Sequence, residues 1–288
     1  MTSIPKVIDV ETALQDKIPD IYKKIPGVIL WLMEKVIRQD DMNRMIYESS
    51  NLNGIPMVDW ALDQFGVDII VKGKGLIPKN GQFIFSANHP LGSLDGLAII
   101  SVVATIHQPI KFIVNDLLKV IKGFAPVALY IARFGQINRQ NAISINKTLA
   151  SDAQLLIQPA GTVSKRNPVK ISDLPWNKFF IRKAIQYKRN VIPIHVQARN
   201  SRLFYNIASF RKIFRIKSNL EMFLLPREMF NKNGKTITIT IGKPIAYKTF
   251  DESRTHLEWA QKVREYVYLL GSENFSSAST FPAFSEIL

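Results

Sequence analysis

The segment Asn88–Gly96, NHPLGSLDG, combines a histidine and an aspartate in a pattern that can support acid–base chemistry. His89 ends an apolar run, and Asp95 stands at the start of the next one. Imidazole is the natural base near neutral pH, and a carboxylate on its second nitrogen fixes the tautomer and stabilises the imidazolium. The structural alternative is that His89 merely caps a strand and Asp95 caps a helix. From these residues alone, both interpretations stay open.

Alternating strand and helix patterns surround this segment. The runs VDIIVKG, QFIFSAN, KFIVN, QLLIQP, NVIPIHVQA and KTITITIGKPI predict strands, and helical patterns stand between several of them. This alternation predicts the α/β fold class, with a mostly parallel central sheet flanked by helices. The carboxyl ends of such strands line the ligand crevice, which is where His89 would lie. We also predict an interrupted helix over residues 117–134 and a strand in EMFLLP, residues 221–226.

The composition predicts one folded domain with a helical extension. With 47% hydrophobic and 21% charged residues, the 288-residue chain can bury a large core. We predict an N-terminal helical extension over residues 1–65, an α/β domain including a C-terminal helix over residues 66–272, and a loosely ordered tail over residues 273–288. The longest uncharged apolar stretches are about half the roughly 20 residues that a spanning helix needs. The N-terminus also lacks a secretory pattern, so we expect the protein to stay inside the cell.

Positive charge is concentrated in one segment. The whole chain has 38 Lys and Arg against 23 Asp and Glu, a net charge of +15. Residues 161–250 alone hold 19 Lys and Arg and three acidic residues. Such a one-sided field implies an anionic partner, which could be nucleic acid, anionic lipid, a phosphorylated small molecule or an acidic carrier protein. No helix-turn-helix, RNP or zinc-finger pattern supports nucleic acid, and the absence of cysteine excludes disulfides and Cys-based zinc sites.

Four short blocks follow one another along the chain: NHPLGSLDG (88–96), GQINR (135–139), QPAGT (158–162) and VIPIHV (191–196). In this order they resemble the lysophospholipid acyltransferase family, of the glycerolphosphate acyltransferase superfamily, and NHPLGSLDG resembles its catalytic block. Five residues separate His89 from Asp95, where the family usually has four. This longer form, NHPxGxxDG, resembles a bacterial branch that includes amino-acid-lipid O-acyltransferases. The third block carries Ala160 where the family normally has Glu, which removes a negative charge from the expected acceptor site.

The resemblance implies an O-acyltransferase of membrane lipid biosynthesis. A fatty acyl group would pass from an acyl thioester, on acyl carrier protein or CoA, to a hydroxyl of a lyso-amino-acid lipid or lysophosphatidate. His89 would be the general base and Asp95 would orient it, with no metal and no bound cofactor. The residues implied to contact substrate are Asn88, Gly92, Gly135, Asn138, Arg139, Gly161, Thr162, Lys165 and Arg166.

A basic amphipathic segment, residues 202–217, suggests where an anionic partner docks. Its apolar stripe is surrounded by cations, a pattern typical of helices that lie in a membrane interface. The cations predicted to contact an anionic membrane or acyl carrier protein are Arg202, Arg211, Lys212, Arg215 and Lys217. The alternative is a surface helix with a solvated basic rim. We therefore expect a cytoplasmic protein that is peripheral on the inner face of the cytoplasmic membrane, without a nucleic-acid partner.

Two other functions fit parts of the sequence. Ala160 and the longer spacing from His89 to Asp95 would suit a catalytically inactive lipid-binding protein of the same fold. The net charge alone would suit a basic nucleic-acid-binding protein, which predicts salt-sensitive retention of DNA or RNA and no need for His89.

Overall fold

Helices open the chain and lead into a central sheet. The structure is a computed structural model, and it describes residues 4–17, 19–131, 138–167, 170–213, 219–272 and 281–287. The α-helices of this part before the first strand are α1 (Val10–Lys17), α2 (Pro19–Tyr22), α3 (Gly27–Ile37), α4 (Gln39–Glu48) and α5 (Ile55–Phe65). Those that follow are α6 (Leu94–Ala104), α7 (Arg139–Leu149), α8 (Phe179–Tyr187), α9 (Arg202–Ile213), α10 (Leu225–Phe230) and α11 (His256–Leu270). None of the helices described has both the length and the apolar character that crossing a bilayer requires.

A seven-stranded sheet forms the centre of the described chain, and two further short strands pair outside it. In chain order, the strands of the described residues are β1 (Val67–Lys72), β2 (Phe83–Ala87), β3 (Ile110–Asn115), β4 (Ala128–Ile131), β5 (Gln154–Ile157), β6 (Lys165–Arg166), β7 (Ile171–Ser172), β8 (Asn190–Gln197) and β9 (Lys235–Ile241). The sheet order is β1-β9-β8-β2-β5-β3-β4, and neighbouring strands are parallel except for β8 and β9. Strands β6 and β7 form a separate antiparallel pair. The predicted α/β class with a mostly parallel sheet is confirmed.

The chain reverses its direction of travel across the sheet next to β2. From β2 it passes through α6 to β3, on one side, whereas from β5 it passes through α8 to β8, on the other. Open α/β sheets bind ligands at the carboxyl ends of strands where such connections diverge. All five residues of β2 are buried, as expected of a parallel strand covered on both faces.

Helix α5 belongs to the main hydrophobic core, although it lies within the predicted N-terminal extension. Its buried side chains recur at the spacing of one helical face, as in Met57, Ala61 and Leu62, and the helix packs against α6. The C-terminal tail also contributes, since Phe281 and Phe284 are buried in a cluster with α11. Residues 281–287 are therefore packed against the domain, in contrast to the loose order expected there.

Two secondary-structure predictions are wrong. Over its described part, residues 117–131, the helix predicted for 117–134 is replaced by short 3-10 helices and then β4, because Gly123 packs closely against the backbone of Leu52 and residues 128–131 pair with β3. The remaining residues of that prediction, 132–134, lie outside the described residues. The strand predicted in EMFLLP is a 3-10 helix, Leu220–Leu224, followed by α10. Pro226 favours this outcome because it lies in the first turn of α10, where a missing N–H costs no hydrogen bond.

Candidate active site

Asn88 fixes the backbone at the point where the chain leaves β2. Its side-chain Nδ2 donates to the carbonyl oxygen of Val196 at 2.9 Å, and its Oδ1 accepts from the Val196 N–H at 2.7 Å. The side chain is buried and ties the end of β2 to β8. Asn88, which was predicted to contact substrate, therefore anchors the segment that carries His89.

His89 and Asp95 lie in direct contact. His89 Nδ1 is 3.0 Å from Asp95 Oδ2, and the side chains are 14% and 0% exposed. The same carboxylate accepts backbone N–H groups from Leu91 and Gly96, each at 2.9 Å. With Nδ1 held by Asp95, the ring nitrogen that can take a proton from a substrate is Nε2. The geometry is that of a histidine base oriented by a buried carboxylate.

The contact between the two side chains raises the pKa of His89 and lowers the pKa of Asp95. Burial lowers the pKa of His89, but the charge and hydrogen bond of Asp95, with the charge of Asp173, outweigh it and raise that pKa above 6.5. Burial raises the pKa of Asp95, yet His89 and two backbone N–H groups outweigh burial and lower it. The carboxylate therefore stays ionised beside a histidine that holds a proton well. Among the described residues, no three His, Asp or Glu side chains converge as they would to hold a metal ion.

Gly92 shapes the turn that brings Asp95 back to His89. Its φ of +88° lies in the region that favours glycine, and this turn accommodates the five residues between the pair. A Cβ at this position would lie 2.8 Å from Val163 Cγ2 and from Leu225 Cδ2. Gly92, which was predicted to contact substrate, is thus required for backbone conformation and packing.

We expect Gly92→Ala to lower the free energy of unfolding by about 1–3 kcal/mol, because it adds backbone strain and a steric clash. Gly161→Ala is the matched control, since Gly161 also has a positive φ, +65°, but a Cβ added there would meet no atom within 4 Å. Thermal and urea unfolding of both variants measure the difference. Equal destabilisation by the two substitutions would show that contact with Val163 and Leu225 does not prevent a larger side chain at position 92.

The chain just after the third sequence block is hydrogen-bonded to the segment that carries His89. The N–H of Ser164 donates to the carbonyl oxygen of His89 at 2.8 Å. Lys165, partly buried, and Arg166, exposed, follow it in β6. The predicted substrate residues that flank Ser164 in the chain are Gly161, Thr162, Lys165 and Arg166.

The second block is described only in part. Asn138 caps α7, because its side chain accepts the N–H of Asn141 at 2.8 Å. Arg139 is the first residue of α7, the next helix after β4, and its side chain is exposed at the N-terminus of this helix. Gly135 lies outside the described residues. A capping role accounts for Asn138, while Arg139 is open to an anionic ligand.

Sequence reasoning missed Asp173, which also contacts His89. Its Oδ1 accepts the backbone N–H of His89 at 3.2 Å, and the two residues are 84 positions apart in the chain. The sequence signal that could have pointed to Asp173 is that acidic residues are rare in the basic segment 161–250, which holds three of them. The structure buries all three acidic residues of that segment: Asp173, Glu221 and Glu228.

Comparison with known proteins identifies the family. A sequence model described as acyltransferase matches residues 12–276. The chain belongs to the acyltransferase family. The lyso-glycine lipid O-acyltransferase of Bacteroides thetaiotaomicron is 38% identical over 265 residues, covering 92% of this chain and 97% of that protein. The protein of the same name from Phocaeicola vulgatus is 36% identical over 265 residues, covering 92% and 95%.

The acyltransferase is also similar to a solved structure. The crystal structure of the 1-acyl-sn-glycerophosphate acyltransferase PlsC from Thermotoga maritima has 16% sequence identity and a TM-score of 0.46, covering 84% of this chain and 96% of that chain. The predicted membership of the lysophospholipid acyltransferase family is confirmed by the family match and the two relatives. The protein is therefore an enzyme that transfers acyl groups.

The raised pKa of His89 predicts a pH dependence for an acyl transfer that uses this histidine as the general base. A general base must be neutral, so the rate of such a transfer falls as the pH drops through the pKa of His89 and the histidine becomes protonated. Because that pKa lies above 6.5, we expect the acid limb of kcat/KM to have its midpoint above pH 6.5. Initial rates measured at constant ionic strength test this. A midpoint at or below pH 6.5 would contradict it.

Proposed function

We propose that this acyltransferase moves a fatty acyl group from an acyl thioester to the hydroxyl of a lyso-glycine lipid, with His89 as the general base. The observation that carries the acceptor is the similarity, over nearly their full length, to two proteins named lyso-glycine lipid O-acyltransferase. The contact of His89 Nδ1 with Asp95, at 3.0 Å, supports the mechanism.

In the proposed reaction the acceptor hydroxyl attacks the thioester carbonyl carbon directly. Nε2 of His89 takes the hydroxyl proton as the new C–O bond forms, and Asp95 stabilises the imidazolium. The C–S bond then breaks, and His89 returns the proton to the leaving thiolate. The products are an ester and a free thiol, without an acyl-enzyme. Positioned acid–base catalysis of this kind contributes about 10²- to 10⁴-fold in rate.

The acceptor has a carboxylate that the proposed site must bind. Arg139 is suited to this, because it is exposed at the N-terminus of α7, where the helix dipole also favours an anion. Lys165 and Arg166 follow Ser164, whose N–H contacts the backbone of His89, so they are the other proposed cations. Ala160 in place of the family's Glu leaves this acceptor region without one negative charge.

Competing acceptors and donors test the proposed reaction. Purified enzyme is incubated with lyso-glycine lipid or lysophosphatidate, each with acyl carrier protein or CoA as the thioester carrier. Reactions without acceptor measure thioester hydrolysis. We expect an O-acylated glycine lipid as the main product, and the faster carrier identifies the donor. Product from lysophosphatidate alone would overturn the proposed acceptor.

We propose that the enzyme docks on an anionic membrane through a face built from α3, α9 and the 3-10 helix Leu220–Leu224. Helices α3 and α9 both pack against that 3-10 helix, so the three elements share one side of the molecule. Large apolar side chains on them are exposed, including Trp31 (56%) and Ile213 (75%). Exposed apolar groups bordered by cations are typical of an interfacial surface.

Of the predicted docking cations, Arg202 and Arg211 are fully described by the structure. Arg202 is exposed, as docking requires. Arg211 is mostly buried, with Nε 3.0 Å from Glu221 Oε2, so an ion pair already uses its charge. The Lys212 side chain, Arg215 and Lys217 lie outside the described residues. The exposed Lys23 and Lys24, just before α3, supply positive charge that was not predicted to dock.

Replacing Trp31 and Leu32 together by serine is expected to reduce sedimentation with anionic vesicles several-fold, because it removes two exposed apolar side chains from the face. The matched control replaces Ile143 and Leu257 by serine. These two side chains are similarly exposed, at 50% each, but they lie on α7 and α11. Vesicles of zwitterionic lipid show how much binding depends on charge. Equal binding by the two double variants would contradict the proposed face.

A further inference from the structure

A second buried carboxylate, Asp173, lies beside His89. Its Oδ1 accepts the backbone N–H of His89 at 3.2 Å and the hydroxyl of Ser164 at 2.5 Å. Its Oδ2 accepts the indole N–H of Trp176 at 2.9 Å. Three donors thus converge on a side chain that is 3% exposed. An amide could not accept from all three, because one of its two polar atoms is a donor.

Helix α11 holds the backbone of Asp173 from the other side. The N–H of Asp173 donates to the hydroxyl of Tyr268 at 2.7 Å, and its carbonyl oxygen accepts from Arg264 Nη2 at 2.7 Å. The Arg264 guanidinium lies 5.1 Å from the Tyr268 ring centre, and the Lys170 ammonium 5.9 Å from it. Asp173 is therefore fixed between α11 and the segment that carries His89.

Two carboxylates contact His89 at different places. Asp95, at the start of α6, binds the imidazole ring, whereas Asp173, which follows β7, binds the backbone N–H. Both carboxylates favour the imidazolium electrostatically. Arg264 binds the carbonyl of Asp173, and the titratable Tyr268 faces its N–H.

We propose that Asp173 is a positioning residue for catalysis, which fixes the backbone of His89 and supplies a second negative charge that stabilises the imidazolium formed during acyl transfer. This rests on the proposed role of His89 as general base. The carboxylate contacts the backbone of His89, and its charge acts strongly on a ring of limited solvent access because the local dielectric constant is well below that of water. The hydrogen bonds described for the carboxylate come from the His89 backbone N–H, Ser164 and Trp176, so its proposed effect on the reaction passes through His89.

The test compares Asp173→Asn with two variants that keep the charge, Ser164→Ala and Trp176→Phe. We expect Asp173→Asn to lower kcat about tenfold or more, with a smaller change in KM, and to move the acid limb to lower pH by about half to one unit. Titration of the His89 ring by NMR should show the same downward shift. The charge-keeping variants should leave the midpoint at or above that of the wild type.

The outcomes separate this proposal from the proposed function. If Asp173→Asn lowers stability or kcat but leaves the His89 midpoint unchanged, Asp173 is structural only, and the proposal fails. A lower midpoint of the His89 titration in Ser164→Ala or Trp176→Phe would also overturn the proposal, because both variants keep the charge of Asp173. These two variants therefore still test the proposal if Asp173→Asn does not fold. If the wild type does not acylate lyso-glycine lipid, the proposed function fails, while the NMR titration still reports on Asp173.

Discussion

Replacing His89 by alanine is expected to lower acyl transfer by about 10²- to 10⁴-fold, because the variant has no base to take the hydroxyl proton. The fold should survive, since the backbone contacts of His89 with Asp173 and Ser164 do not use the imidazole. The substitution does leave the buried Asp95 without its ring partner, although two backbone N–H groups still bind it.

The measurement is the initial rate of purified His89→Ala with acyl thioester and lyso-glycine lipid, beside circular dichroism and a thermal melt. His256→Ala is the matched control, because His256 is exposed at the start of α11 and outside the described site. We expect the control to retain wild-type activity. Near wild-type transfer by a folded His89→Ala enzyme would rule out His89 as the base.

Asp95→Asn is expected to lower the rate by about 10²- to 10⁴-fold with little change in shape. If the amide Nδ2 faces His89, it donates to Nδ1 and leaves the proton on Nε2, where the base must be free. The variant also removes the charge that favours the imidazolium, so the pKa of His89 should fall. A lower pKa moves the acid limb of the remaining activity to lower pH, in spite of the lower rate.

A pH profile of kcat/KM for Asp95→Asn measures both effects. Asp59→Asn is a suitable control because Asp59 is an exposed carboxylate on α5 that accepts a hydrogen bond from Ser101. This control should match the wild type in rate and midpoint. If Asp95→Asn keeps the wild-type rate and midpoint, the contact with His89 has no part in catalysis.

Local patterns were enough to predict the parts of the molecule that depend on neighbouring residues. The buried runs of β2 and β8 and the turn around Gly92 follow from apolar periodicity and glycine placement. The contact of His89 with Asp95 spans six positions, within reach of one turn at the end of a strand. These elements placed the predicted catalytic pair correctly at the carboxyl end of the sheet.

Features set by distant contacts were not predictable in the same way. Asp173 reaches His89 across 84 positions, and nothing in its own segment points to that partner. Likewise, Arg211 has the spacing of a docking cation, but Glu221 comes close only after α9 packs against the 3-10 helix. The exposed face of α3 is a third case, because an apolar pattern cannot show whether another element covers it.

The most direct test of general-base catalysis by His89 is its ring titration by NMR, set beside the pH profile of kcat/KM for the wild-type enzyme. Catalysis by neutral His89 predicts that the two midpoints coincide and that both lie above pH 6.5, the ordinary value for histidine. An acid limb that follows a midpoint clearly different from that of the His89 ring would contradict it.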